Sequence, residues 1–271
     1  MELQTISNTA IIGVICSIAL SVGVPIALLI VGKAKFQARI SSFLIGAGAF
    51  LLFAMILEQL MHLLVIQVCG LNAQSDPWLY YVYAAAAAAV FEETGRILAM
   101  KLWMKKWLDF PNALMYGFGH GGMEAVLIGG LTNISTLCSM LMINSGAMQK
   151  TLGTLSTEAA AQTTEKLSSL WATPAPLFFV SGIERIGAMI LHIGLSLLIY
   201  RAVTSGKRGI AALAYAIHFA VDFFAVACAA VLPIYVMEAC IFVLAIGTLV
   251  LSLKLNQQEL HGKRKTNLAN G

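Results

Sequence analysis

The chain has 271 residues, 59% apolar and 11% charged, against roughly 45–50% and about 25% in an ordinary soluble domain. That composition excludes a soluble protein, and a net charge of +4 on so apolar a chain is too small to point to nucleic acid. Five cysteines, Cys16, Cys69, Cys138, Cys228 and Cys240, form no CxxC pair, signal neither a disulfide framework nor a thiolate metal site, and read as small buried hydrophobes.

A membrane helix needs about 20 mostly apolar residues. In chain order the candidates are Asn8 to Val31, Ile40 to Cys69, Trp78 to Met100, Pro111 to Gly130 or longer, Pro174 to Tyr200, Ile210 to Val231 and Ile234 to Leu253. The first has no charged start and no small-residue cleavage site, so it is a span and not a signal peptide. The third contains the alanine run Ala84 to Ala89, where small side chains let neighbouring helices approach. The fourth has no clear stop, because apolar character continues to Ile143. Asn144 to Thr173 reads as a polar, solvated connector, with a short amphipathic helix over Thr157 to Leu170, exposing Glu158 and Glu165, as the alternative. The expected fold is all-α: one integral membrane domain over 1–271 with seven transmembrane helices.

Cytoplasmic loops near span ends collect Lys and Arg. Lys33, Lys35, Arg39, Lys101, Lys105, Lys106, Arg201, Lys207, Arg208 and, in the tail 254–271, Lys254, Lys263, Arg264 and Lys265 make thirteen cations on one side, against Lys150 and Lys166 on the other. This asymmetry predicts an outside N-terminus, an outside loop over 144–173 and a cytoplasmic C-terminus.

Ionisable groups at the centre of a span cost at least about 2.5 kcal/mol each and are functional candidates by default. Glu92, Glu93 and Arg96 fall in span three, His120 and Glu124 in span four, His192 in span five, and His218 and Asp222 in span six. Residues four apart share a helix face, which pairs His120 with Glu124, His218 with Asp222 and Glu92 with Arg96. Glu92, His120, His192 and His218 each lie nine residues from an assumed cytoplasmic edge, roughly 13 Å deep at 1.5 Å per residue, so four helices deliver one Glu and three His to one level. A lone intramembrane His is as readily a packing hydrogen bond as a ligand; three at one depth beside two Glu favour a site.

Imidazoles and a carboxylate are usual zinc ligands, and a second carboxylate can act as general base. His120, His192 and His218 are therefore candidate metal ligands, Glu92, Glu93 and Arg96 the catalytic candidates, and Glu124 and Asp222 are placed to orient imidazoles or align substrate. Glu58 with His62, and Glu184 with Arg185, lie nearer the outer side and read as structural or gating groups. Gly117, Gly119, Gly121 and Gly122 around His120 suit either substrate access or tight packing.

At these residues the chain resembles the YhfC family of intramembrane metalloproteases, related to the type II CAAX prenyl endopeptidase and bacteriocin-processing superfamily. The paired-Glu-then-Arg motif matches Glu92, Glu93 and Arg96, aromatic-xxx-His matches Tyr116 and His120, and His-xxx-Asn/Asp matches His218 and Asp222, with His192 as an additional family His. The spacing departs from the endopeptidases, which usually place three residues before the Arg where this chain has Thr94 and Gly95. Seven spans and two His on consecutive late helices also resemble the anterior-pharynx-defective subunit of γ-secretase, a scaffold. The resemblance implies a divalent metal, zinc, a Glu that activates water for attack on a peptide carbonyl, and His that bind the metal or stabilise the oxyanion. It also implies a membrane-embedded or membrane-adjacent peptide substrate and a location in a bacterial cytoplasmic membrane. The competing readings are a non-catalytic scaffold or chaperone, in which these polar groups hold helices together, and an ion-coupled transporter. The absence of a clear pair of inverted, Pro- or Gly-interrupted halves lowers the transporter reading.

Overall fold

The computed structural model describes residues 3–229 and 231–257. Among the described residues all regular structure is helical: α1 (Asn8–Phe36), α2 (Ile40–Val68), α3 (Pro77–Leu98, prolonged by a π turn over Ala99–Trp103), α4 (Phe110–Asn144), α5 (Ala147–Leu152), α6 (Thr157–Ala172), α7 (Leu177–Ser205), α8 (Arg208–Cys228) and α9 (Ile234–Leu255). Six of these, α1, α2, α4, α7, α8 and α9, are long and apolar enough to cross a membrane. The expected third span corresponds to α3, which is 22 residues long but carries Glu92, Glu93, Arg96 and three tyrosines that dilute its apolar character. The tail cations Lys263, Arg264 and Lys265 lie outside the described residues.

The chain divides into two compact units, residues 3–26 with 124–186 and residues 27–123 with 187–257. In the first, Ile6, just before α1, and Ala10 and Val14 of α1 form a core with Met140 and Ile143 of α4 and Met148 and Leu152 of α5, and Leu167, Leu170 and Trp171 of α6 pack onto it. The 144–173 segment is thus helical and not an open connector. Ser156 caps α6 by accepting from Ala159 N, with Glu158 in the first turn, the arrangement that favours a helix start. The Asn144 side chain bridges Ile6, accepting from its N at 2.8 Å and donating to its O at 2.9 Å.

Gly129 and Gly130, where the sequence leaves the end of span four open, continue the helix through a π segment over Ala125–Leu131. A β-carbon at Gly129 would lie 2.6 Å from both Ser21 Oγ and Arg185 Cγ, so the glycine serves close packing. The cysteines are also corrected: Cys69 and Cys138 are exposed and Cys16, Cys228 and Cys240 half-buried, all free. An apolar side chain on a lipid-facing helix needs no protein core.

In the second unit Met100, Met115, Tyr116, Leu195, Leu197, Leu198 and Ile199 are fully buried at the heart of the core. Asp109 starts α4 by accepting from Asn112 N at 3.0 Å, while Asn112 Oδ1 holds Arg39 N at 2.9 Å, tying the starts of α2 and α4 together. Further along, a β-carbon at Gly46 would fall on the Tyr116 carbonyl oxygen, and one at Gly119 on that of Phe43. Here α2 and α4 touch backbone to backbone. Gly117 and Gly121 do the same towards α7, each with 3.1 Å to a Cα, of Ile193 and Met189 respectively. The glycines around His120 therefore serve packing, and they clamp that histidine between α2 and α7. Helix α8 packs along α3, placing His218 and Asp222 beside the Glu92–Glu93 pair.

Candidate metal centre

Four helices of the second unit meet at the acidic pair of α3. Arg96, one turn beyond, donates from Nη1 to Glu93 Oε1 and from Nη2 to Glu92 Oε2 at 3.2 Å. His120 of α4 lies with Nε2 2.8 Å from Glu92 Oε2. His192 of α7 places Nδ1 3.6 Å from that oxygen and accepts from Arg96 Nη2 at 2.5 Å. His218 of α8 has Nδ1 2.8 Å from Glu93 Oε1 and Nε2 3.3 Å from Asp222 Oδ2. Helical periodicity explains the pairing: Glu92 with Arg96 and His218 with Asp222 are four apart, so each lies on one face.

Burial is close to complete. Glu93 and Arg96 are 0% exposed and His120 and His218 no more than 2%, while the Asp222 side chain, one turn along α8, is 32% exposed. One ligand atom each from Glu92, His192 and His218 lies within 4.8 Å of the others. The sequence places three imidazoles at the metal; the trio that converges contains Glu92, with His120 hydrogen-bonded behind it. Glu93 Oε2, Tyr116 Oη and His120 Nδ1 are buried with no hydrogen-bond partner among the described residues. Orphaned polar atoms in so dry a place cost about 1–3 kcal/mol each, which a bound group that uses them would offset. With neutral imidazoles, Glu92 and Glu93 share the single guanidinium of Arg96 and Asp222 lies against His218, so a divalent cation would neutralise the remaining two negative charges.

The other sequence candidates form separate groups. Glu58 Oε1 lies 3.3 Å from His62 Nε2, and His62 Nδ1 is 2.8 Å from Tyr83 Oη. In the first unit Arg185 donates to Glu124 Oε1 at 3.0 Å and also to Glu184 Oε1, so Glu124 belongs to an ion-pair cluster with the outer candidates. Tyr83 is the residue that sequence reasoning misses; nothing separates it there from its neighbours Tyr80 and Tyr81.

Residues 20–242 match the model of the YhfC intramembrane metalloprotease family. A protein of Bacillus subtilis (strain 168) described as "Uncharacterized membrane protein YhfC" is 37% identical over 204 residues, which cover 74% of this chain and 78% of the relative. No solved structure matches the chain.

Proposed function

Because the chain belongs to the YhfC intramembrane metalloprotease family, we propose that this integral protein of a bacterial cell membrane is a metal-dependent endopeptidase that cuts a peptide bond within or beside the bilayer. The observation that supports this reading most is the convergence of Glu92, His192 and His218, buried and within 4.8 Å of one another. A carboxylate oxygen and two imidazole nitrogens are a donor set that suits zinc. When bound, such an ion lowers the pKa of a coordinated water to about 7.

The remaining roles follow from what each side chain touches. Asp222 accepts the Nε2 proton of His218, so Nδ1, which faces Glu93 Oε1, is the nitrogen that would release its proton and offer its lone pair to an ion. His120 steadies Glu92 through Oε2. Glu93 has Oε1 committed to Arg96, and its other oxygen takes the proton from the attacking water. Tyr116 Oη, buried with no partner among the described residues, is the donor for the carbonyl oxygen as negative charge develops on it. Arg96 neutralises both carboxylates and would keep Glu93 paired if Glu92 held an ion. In the membrane we take α3 as the seventh span, with the N-terminus outside and the C-terminus cytoplasmic, since the cation asymmetry requires an odd number of crossings.

The test is cleavage of a panel of fluorogenic transmembrane peptides by folded, monodisperse variants in proteoliposomes, read together with zinc content. Glu93→Gln should keep its zinc and lose about 10²–10⁴ in rate. Glu92→Gln, His192→Ala and His218→Ala should lose both. Full cleavage by both Glu variants would overturn the reading. One observation favours a scaffold instead: Arg96 already satisfies Glu92, Glu93 and His192 internally. Zinc-free protein with unchanged stability and no cleavage would select it.

A further inference from the structure

The hydrolysis proposed above consumes one water per peptide bond, yet Glu93 and His218 are sealed from solvent. The polar groups the mechanism leaves unused form a line that leads away from them. Glu58, whose side chain is 9% exposed, bonds His62, which is 22% exposed, and His62 bonds the half-buried Tyr83. Phe53 of α2 packs on Gly95 of α3, the neighbour of Arg96, and Glu58 follows five residues later, about 8 Å along the helix, so the inner end of the line lies close to the centre. Its outer end lies one and a half turns from Pro77, where α3 begins, since Tyr83 is the seventh residue of that helix.

The line faces α3 and not lipid. Along this half of α2 the exposed residues are apolar apart from Gln59 and Gln67, with Leu60 59%, Leu63 58% and Leu64 52% exposed, while Glu58, His62, Val65 and Ile66 are the shielded ones. Opposite them α3 carries the alanines 84–89, whose small side chains let α2 approach closely, with Ala85, Ala87 and Ala89 buried. Intramembrane polar side chains characteristically face the bundle interior or a water-filled cavity. Helix α2 also changes to π geometry over Phe53–Glu58 and Leu63–Val68, immediately on either side of Gln59–His62, and single π turns recur at functional sites.

We propose that Glu58, His62 and Tyr83 line the path by which water reaches Glu93 and His218 from the end of the second unit where α2 finishes and α3 begins. The path rests on the hydrolytic reading for its purpose and on its own geometry for its existence, so the experiment separates the two. In full-length protein with the five native cysteines replaced by serine, single cysteines are placed at Glu58, His62 and, to keep all three polar groups intact, at Ala87, one turn from Tyr83 on the same face. Leu60 and Leu63 positions serve as lipid-facing controls. The probe is a small cationic methanethiosulfonate, which reacts with ionised thiols and therefore with hydrated ones. Positions 58, 62 and 87 should react about tenfold faster or more than 60 and 63, as water-lined positions should in a bilayer. Equal rates at 87, 60 and 63 would overturn the path whatever the enzyme does. Tyr83→Phe, which removes one hydroxyl, should slow peptide cleavage at unchanged zinc content. If wild-type protein cleaves nothing, the hydrolytic reading fails and the labelling pattern still decides the path.

Discussion

Nη2 of Arg96 lies 2.5 Å from Nδ1 of His192 and 3.2 Å from Oε2 of Glu92, so a monovalent cation sits between two of the three side chains that could hold a divalent one. The two cations compete for the same lone pairs. Arg96→Gln should therefore lose stability, since stranding buried carboxylates costs about 3–5 kcal/mol. Zinc at about 100 times its dissociation constant should restore about 2.7 kcal/mol of that. Thermal unfolding in detergent, with zinc and with chelator, measures both. A zinc-induced shift no larger in Arg96→Gln than in wild type would refute the competition.

The contact of α2 with α4 gives a prediction about packing alone. A β-carbon at Gly119 meets the Phe43 carbonyl, which no side-chain rotation relieves, so Gly119→Ala should destabilise by about 1–3 kcal/mol. At Gly247 of α9 an added β-carbon would have nothing within 4 Å, and Gly247→Ala should be neutral or stabilising by up to about 1 kcal/mol. Unfolding midpoints of the two variants compare directly.

The orientation is tested on intact cells. In a cysteine-free background, single cysteines beside Lys105 and Lys207 should be protected from an impermeant thiol reagent, and one at Gln162 of α6 should react. The reverse pattern would invert the side from which substrate approaches.

In the first unit, Arg185 binds Glu124 and Glu184. Arg185→Leu leaves two carboxylates facing each other's charge and should reduce the yield of folded protein far more than Glu124→Gln, which removes one charge from the cluster. Size-exclusion profiles after detergent extraction report the difference, and equal yields would show that the cluster contributes little to folding.

Much of the centre is legible in the sequence because residue count along a helix is height in a membrane. Nine residues from an edge puts Glu92, His120, His192 and His218 at one level, and they do meet. Height carries no information on rotation about each axis, so it does not say which of His120 and His192 turns to Arg96, nor that Glu92 lies with His192 and His218 in the group whose atoms converge within 4.8 Å. Span four has no clear stop in the sequence, and its helix does run on through Gly129 and Gly130, where Gly129 admits Ser21 and Arg185. The cysteines mislead because in a bilayer an apolar residue gains nothing by turning inward. Helix α6 is the weaker alternative in the sequence because Ser, Thr and Ala dominate it, and its few anchors, Leu167, Leu170 and Trp171, need the α1–α5 core to pack against.

The π turn at Phe53–Glu58 makes chain length itself a determinant. Gly46 fixes the first half of α2 against α4, and Glu58 and His62 lie beyond the widened turn. A π turn takes up about one residue more than an α turn, so deleting one residue from the regular stretch between 47 and 52, with that π turn kept, would turn everything after it by about 100°, carrying His62 away from Tyr83. At this place a gap in the chain acts as a substitution of an entire helix face, with every remaining side chain unchanged.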